Sequence, residues 1–312
     1  MRTPTHIAIG NINIDIYLKV RRIPGPDEAV LAEDAVFQPG GAASNYAVAV
    51  AKAGHRVKLV AHTTFLAKLL GVLERLEAAG VDTSTVIMHT DGIPGMVFIL
   101  LLPSGESTMI KLKGVNELLT GKEIVNALPA DVVHFASVAP NVLENAGKVW
   151  GYDPPEIVSY DPGGAIVDVY GDQVVQIAQK YATLLTLNRS ELKMLVGDSN
   201  PLVAAKLLKG KLQYILIRCG EHGAFLVTRN GVYRAKPCKV GDVVDTTGAG
   251  DTFNAYFNVY LIETHDVEKA LMYASVAAGI KVTRLGAQAS PSRAEVELLA
   301  KKYGQDLVER IN

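Results

Sequence analysis

The sequence predicts an α/β protein in which a mainly parallel sheet is covered by helices on both faces, with a small β lid outside that sheet. Three observations predict it. Short apolar, β-rich runs alternate with helical patterns for most of the 312 residues. The runs lack a polar alternation, as strands buried on both faces do. Two stretches, Asp15–Phe37 and Thr85–Leu112, break the pattern with strand segments separated by turn residues.

In chain order, His6–Gly10 opens as a strand. The first lid stretch follows, interrupted by Pro24-Gly25-Pro26, which is turn chemistry. Ala42–Ala53 is small, apolar and helical, and Gly54 stops it. Val57–Ala61 is the next strand, and Phe65–Ala79 reads as one helix ending at Gly80. The second lid stretch carries Pro103-Ser104-Gly105 as its turn, and both lid parts read as small antiparallel elements. Strands are then expected at Val132–Ala136, Ile157–Tyr160, Thr183–Leu187 and Tyr214–Arg218, with helices between them. A helical pattern runs from Thr252 to Ile262. No repeat, low-complexity segment or linker interrupts the chain.

Composition narrows the function. Hydrophobic residues make up 49% and charged residues 20%, which suits a sizeable core and excludes global disorder. Lys plus Arg number 31 against 32 Asp plus Glu, so no broad basic face for nucleic acid is expected, although a local cationic pocket is not excluded. The apolar run Met96–Leu102 is far short of the ~20 residues that span a bilayer, and the N-terminus carries no signal-peptide pattern. No membrane partner is expected. Cys219 and Cys238 make neither a disulfide framework nor a metal-ligand spacing, which points to a reduced, cytoplasmic setting.

The segment Gly241–Tyr256, GDVVDTTGAGDTFNAY, carries the chemistry. Small residues directly before a helix let backbone N–H groups approach a ligand, and the helix start adds free N–H groups and a positive dipole end. Such a turn suits a transferring phosphoryl group. Asp251 stands at that helix start, where a carboxylate serves either as a cap or as a base for an acceptor hydroxyl.

DTTGAGD followed by TFNAYF resembles the C-terminal signature of the PfkB, or ribokinase-like, carbohydrate kinases. Gln38–Gly54 (QPGGAASNYAVAVAKAG) resembles their N-terminal signature, and Gly10–Val20 their opening strand with its substrate Asp. Leu187–Leu195 (LNRSELKML) resembles their Asn-x-x-Glu motif, and Val282–Ser290 the segment closing the nucleotide site. The matches run in family order over nearly the whole chain. The resemblance implies a single ribokinase-like domain over 1–312, with the lid at about 15–37 and 85–112. It implies ATP with Mg²⁺, a sugar or nucleoside acceptor, and a homodimer through the lid. TLLTLNRSE and SYDPGG look nearer to the family's archaeal nucleoside kinases.

Residue by residue, the resemblance makes Asp251 the base and Gly248, Ala249 and Gly250 the anion hole. Asp15, Gly40, Gly41, Asn45 and Asn116 fall at acceptor-binding positions. Asn188 and Glu191 match the motif that organises phosphates and Mg²⁺ through water; the same spacing is a plain capping box, and both readings are compatible. Arg218, Gly220 and Gly223 fall at a nucleotide-contacting turn, and Ser275, Ala278 and Lys281 on a helix bordering the base. Asp245 and Thr247, with Arg284, Gly286 and Ser290, fall where relatives surround a monovalent cation, so K⁺ is admitted. Lys111 and Lys113 lie near the lid, where they bind an acceptor phosphate or form a solvated strand face.

The sequence also departs from the family. Ala61–Gly71 (AHTTFLAKLLG) lacks the usual Gly and Asp of its segment, and His134–Pro140 carries no Glu. An ATP-dependent sugar or ribose-acceptor kinase is the leading expectation, with nucleoside or sugar-phosphate kinase as alternatives. A non-catalytic small-molecule binder is the alternative of another class. A dinucleotide oxidoreductase lacks its glycine fingerprint after the first strand, where only Gly10 stands.

Overall fold

A computed structural model describes residues 2–104, 106–150 and 153–311. Gly105, the last residue of the expected Pro103-Ser104-Gly105 turn, lies outside them. Among the described residues nine strands form the main sheet, in the spatial order Val308–Arg310, Gly231–Ala235, Ala224–Thr228, Tyr214–Arg218, Leu184–Asn188, Ile157–Asp161, Val132–Ala136, Thr5–Gly10 and Arg56–Val60. The block from Tyr214–Arg218 to Arg56–Val60 is parallel throughout, and the other three strands add on antiparallel.

Both faces are covered, as the unbroken apolar runs require. Ala8, Leu59, Val132 and Ile157 pack on one side with Ala42–Lys52, Ala249–Thr264 and Val267–Lys281. Ile7, Ile9, Val133, Phe135 and Tyr160 pack on the other with Pro140–Val149 and Asp172–Tyr181. Neighbours in one strand thus feed opposite cores.

The lid region holds a separate four-stranded sheet in the order Ala32–Gly40, Asn13–Val20, Gly95–Leu101, Ser107–Leu112. It is not wholly antiparallel, because Asn13–Val20 and Gly95–Leu101 run parallel. The second lid stretch starts later than the sequence suggests. Ile87–His89 pairs instead with His62–Thr64 in a two-stranded ribbon. The helix expected over Phe65–Ala79 is two, Phe65–Leu69 and Val72–Ala78. Gly71 between them takes a left-handed φ of 69°, which turns Val72, Leu73 and Leu76 into the core while Phe65, Leu66 and Leu69 stay exposed. Among the described residues no helix is long and apolar enough to cross a membrane.

Candidate active site

The carboxyl ends of the parallel strands carry Asp161, Asn188 and Arg218 side by side, where open α/β sheets place their ligands. Across from them begins the helix Ala249–Thr264, packed along Ala42–Lys52. Its N-cap is Gly248, at a left-handed φ of 75°, and a Cβ there would run into the carbonyl oxygen of Ala287. A Cβ at Gly250 would meet the Arg218 guanidinium, which would have to shift. No side chain caps this helix, so its positive end faces the cleft.

Asp251 lies in the first turn and does not cap it. Its Oδ2 accepts a hydrogen bond from Asn45 Nδ2 at 2.8 Å. Burial pushes its pKa up to about 6; the Asn45 bond opposes the shift, the Asp161 charge adds to it, and Arg218 and Lys111 oppose it. A carboxylate so poised takes a proton more readily than one free in water.

Asp15 is buried, and burial raises its pKa to about 7; Lys111 lowers it and the Asp251 charge raises it further. A side chain at Gly40 would overlap the Asp15 carboxylate, and one at Gly41 the Asn11 carbonyl. Asp15 Oδ1 and Asn45 Oδ1 are buried with no hydrogen-bond partner within the protein. Buried acceptors are rarely left unpaired, so these two suit hydroxyl donors of a ligand. Asp15, Val97 and Lys111 are direct cross-strand neighbours, which puts Lys111 on the Asp15 face of the lid sheet. Asn116, expected to touch the acceptor, is otherwise engaged. Its Nδ2 donates to the Ile12 carbonyl and Asn13 Oδ1, and its Oδ1 accepts from the Ile12 N–H. It therefore braces the strand that carries Asp15.

A cavity of about 390 Å³ opens beside the Gly248–Gly250 turn. Arg218, Gly220, Gly223, Ser275 and Ala278 line it, together with Ala249 and Gly250. Phe253, Val243 and Val282 make its wall largely apolar, as suits a planar base. Arg218 Nε is buried without a partner, while Nη2 pairs with Asp161 Oδ2 at 2.8 Å. Lys281 does not border this cavity as the sequence suggested.

Asn188 and Glu191 form the full capping box. Asn188 Oδ1 accepts from the Glu191 N–H at 2.9 Å, and Glu191 Oε2 from the Asn188 N–H at 2.8 Å. Glu191 Oε1 accepts from Asn188 Nδ2 at 2.7 Å. Burial, then the Asp161 charge, raises the Glu191 pKa to about 7, with Arg218 opposing. Two carboxylates with one guanidinium between them suit a further cation. Because Asn188 and Glu191 already bond each other, a hydrated Mg²⁺ would reach them through water. Among the described residues no three His, Cys, Asp or Glu side chains are grouped to hold a metal directly.

The residues assigned to K⁺ do converge in part. Asp245 Oδ1 accepts from the Thr247 N–H at 2.9 Å and Oδ2 from the Gly286 N–H at 2.8 Å, whereas Ser290 Oγ pairs with Thr252 Oγ1 at 2.8 Å. However, Lys281 is fully buried, and its Nζ donates to the carbonyls of Asp245 at 2.7 Å and Arg284 at 3.4 Å. A second cation there would meet this fixed charge, so the residues present do not fit K⁺.

The pfkB family carbohydrate kinase model matches residues 5–294. The chain belongs to the pfkB family of carbohydrate kinases. It is 31% identical over 290 residues to the ATP-dependent ribose-1-phosphate kinase of Halopiger xanaduensis, covering 92% of this chain and 94% of that protein. It is 32% identical over 301 residues to the ribokinase of Bacillus subtilis, covering 94% and 98%. The structure of Arabidopsis thaliana ribokinase complexed with ribose and ATP superposes with a TM-score of 0.81 at 26% identity, over 96% and 99% of the two chains. As a pfkB kinase, the protein is a phosphotransferase with an alcohol acceptor, which removes the non-catalytic alternative. Sequence reasoning did not single out Asp161 in this pfkB site. Its signal was there, a carboxylate ending the apolar strand Ile157–Asp161 just before Pro162-Gly163-Gly164.

Proposed function

We propose that the protein is an ATP-dependent kinase that transfers the γ-phosphoryl group to a hydroxyl of a sugar or ribose-containing acceptor. The observation that carries this reading is the place of Asp251. Its pKa is raised to about 6, it directly follows Gly250, which lines the cavity, and it accepts from Asn45, whose Oδ1 is unpaired like that of Asp15. The relatives named above, kinases of ribose and of ribose 1-phosphate by name, support the same acceptor class.

In this reading the adenine lies against Phe253, Val243 and Val282, and the phosphates run towards Arg218 and the Gly248–Gly250 turn. Asp15 accepts hydrogen bonds from acceptor hydroxyls and holds the ring. Asp251 takes the proton of the attacking hydroxyl as the oxygen–phosphorus bond forms, and ADP leaves. The N–H groups at the uncapped helix start stabilise the charge on the migrating phosphoryl. Mg²⁺, when bound, supplies charge neutralisation on the phosphates. Asn188 and Glu191 would hold it through water. The lid sheet excludes water from the transfer and joins two copies.

A sugar-phosphate acceptor is favoured by one observation, the placement of Lys111 on the Asp15 face of the lid, near enough for its charge to act on both Asp15 and Asp251. The test is a coupled ADP-release assay with ATP and Mg²⁺ over ribose, ribose phosphates and nucleosides. Acceptor-dependent ADP release is expected, and Lys111→Ala should weaken phosphorylated acceptors more than unphosphorylated ones. No ADP release with any acceptor would contradict the reading.

A further inference from the structure

Four carbonyl oxygens near the Gly248–Gly250 turn accept hydrogen bonds from two lysines. Lys281 Nζ donates to Asp245 O and Arg284 O and stands 3.7 Å from Asp245 Oδ2. Lys52 Nζ donates to Gln288 O at 2.9 Å and Ser290 O at 3.0 Å. An ammonium offers donors and one positive charge to oxygens that would otherwise need a bound cation. The Lys281 side chain has no exposed surface, and its partners belong to the two segments that shape the phosphoryl site. Asp245 begins the turn leading to Gly248. Arg284 leads to Gly286, whose N–H donates to Asp245, and to Ala287, whose carbonyl packs on Gly248.

We propose that the Lys281 ammonium acts as a built-in monovalent cation, holding the segment 245–250 against 284–287 so that the phosphoryl site is formed without K⁺. Lys281 is thus a positioning residue. It touches neither nucleotide nor acceptor, and acts by placing the backbone that does. Lys52 adds a second ammonium, on the carbonyls of Gln288 and Ser290. The inference rests on reading the Gly248–Gly250 turn as the phosphoryl site.

Two arms test it. In the first, the unaltered protein is titrated with KCl against choline chloride at constant ionic strength, reading ATP affinity by calorimetry, melting temperature and turnover. All three should be the same with and without K⁺. In the second, Lys281→Ala removes the ammonium and leaves a space among the carbonyls. Displacing a reacting group by about 1 Å can cost about 10²-fold, so turnover should fall by that order without K⁺ and recover with K⁺ or NH₄⁺ but not choline. Lys281→Met, which fills the space without charge, should not recover. Turnover, ATP affinity or melting raised several-fold or by several degrees by K⁺ in the unaltered protein would overturn the proposal. So would a Lys281→Ala protein that is fully active without K⁺, or an impaired one that K⁺ does not restore. If the alanine variant fails to fold, the first arm decides alone. Failure of the kinase reading is a separate result, an unaltered protein with no turnover on any acceptor, and the calorimetric and melting readouts still decide the role of Lys281.

Discussion

Replacing Asp251 by Asn separates chemistry from architecture. The amide keeps the size of the carboxylate and can still accept the bond from Asn45, but cannot take a proton from an acceptor. General base catalysis contributes ~10²–10⁴-fold, so kcat should fall within that range while ATP affinity holds. Stability should move the other way. The carboxyl titrates near 6 in the folded chain against 3.8 as the ordinary value. A raised folded pKa means that the ionised group costs the fold stability, with no cost below about pH 4 and the full cost above about pH 7. At 1.36 kcal/mol per unit the shift corresponds to roughly 3 kcal/mol, which solvent reaching the pocket floor trims to about 1–2. The Asp251→Asn protein should therefore melt a few degrees higher than the parent at pH 8, with the two converging near pH 4. A coupled kinase assay beside melts at both pH values checks this. Near-normal turnover, or a variant that melts lower at pH 8, would refute the reasoning.

Other substitutions probe the remaining parts. Parent kcat should fall as pH drops through about 6, because Asp251 must be ionised to act, and a flat profile down to pH 5 would exclude that role. Asp15→Ala should weaken acceptor binding by ~1.5–3 kcal/mol and leave ATP affinity nearly unchanged in calorimetry. Glu191→Gln should raise the Mg²⁺ concentration needed for half-maximal turnover, which a Mg²⁺ titration reads directly. The lid face opposite Asp15 carries Phe37, Ile16, Phe98 and Ile110 in one cross-strand row, with Phe37 46% and Ile110 61% exposed. Light scattering should show a dimer at micromolar concentration, and Ile110→Lys should shift it to monomer.

The parallel sheet was legible because its strands are buried on both faces and read as unbroken apolar runs; the strand expected at Val132–Ala136 is found with those limits. The pair of helices within Phe65–Ala78 was not, because nothing in the letters distinguishes a glycine that ends a helix, Gly80, from one that bends the chain between two, Gly71. The helix expected at Thr252 starts at Ala249, since the GAG turn supplies its own left-handed N-cap. Motif matching named Asp251, Asn45 and Asp15, which the fold brings near one another, but could not see that the Asn116 amide is spent on Ile12 and Asn13. Nor could it see the oxygens around Lys281. Backbone carbonyls leave no residue signature, and only the fold brings those of positions 245, 284, 288 and 290 under two lysines.

The central claim is that this chain moves a phosphoryl group from ATP to an acceptor hydroxyl with Asp251 as base. Phosphorus NMR of a reaction containing ATP, Mg²⁺ and a ribose-type acceptor tests it most directly. The account predicts ADP and a new phosphomonoester resonance in equal amounts with the parent protein, and neither with Asp251→Asn over the same time. ADP accompanied only by inorganic phosphate, or equal phosphomonoester from both proteins, would contradict it.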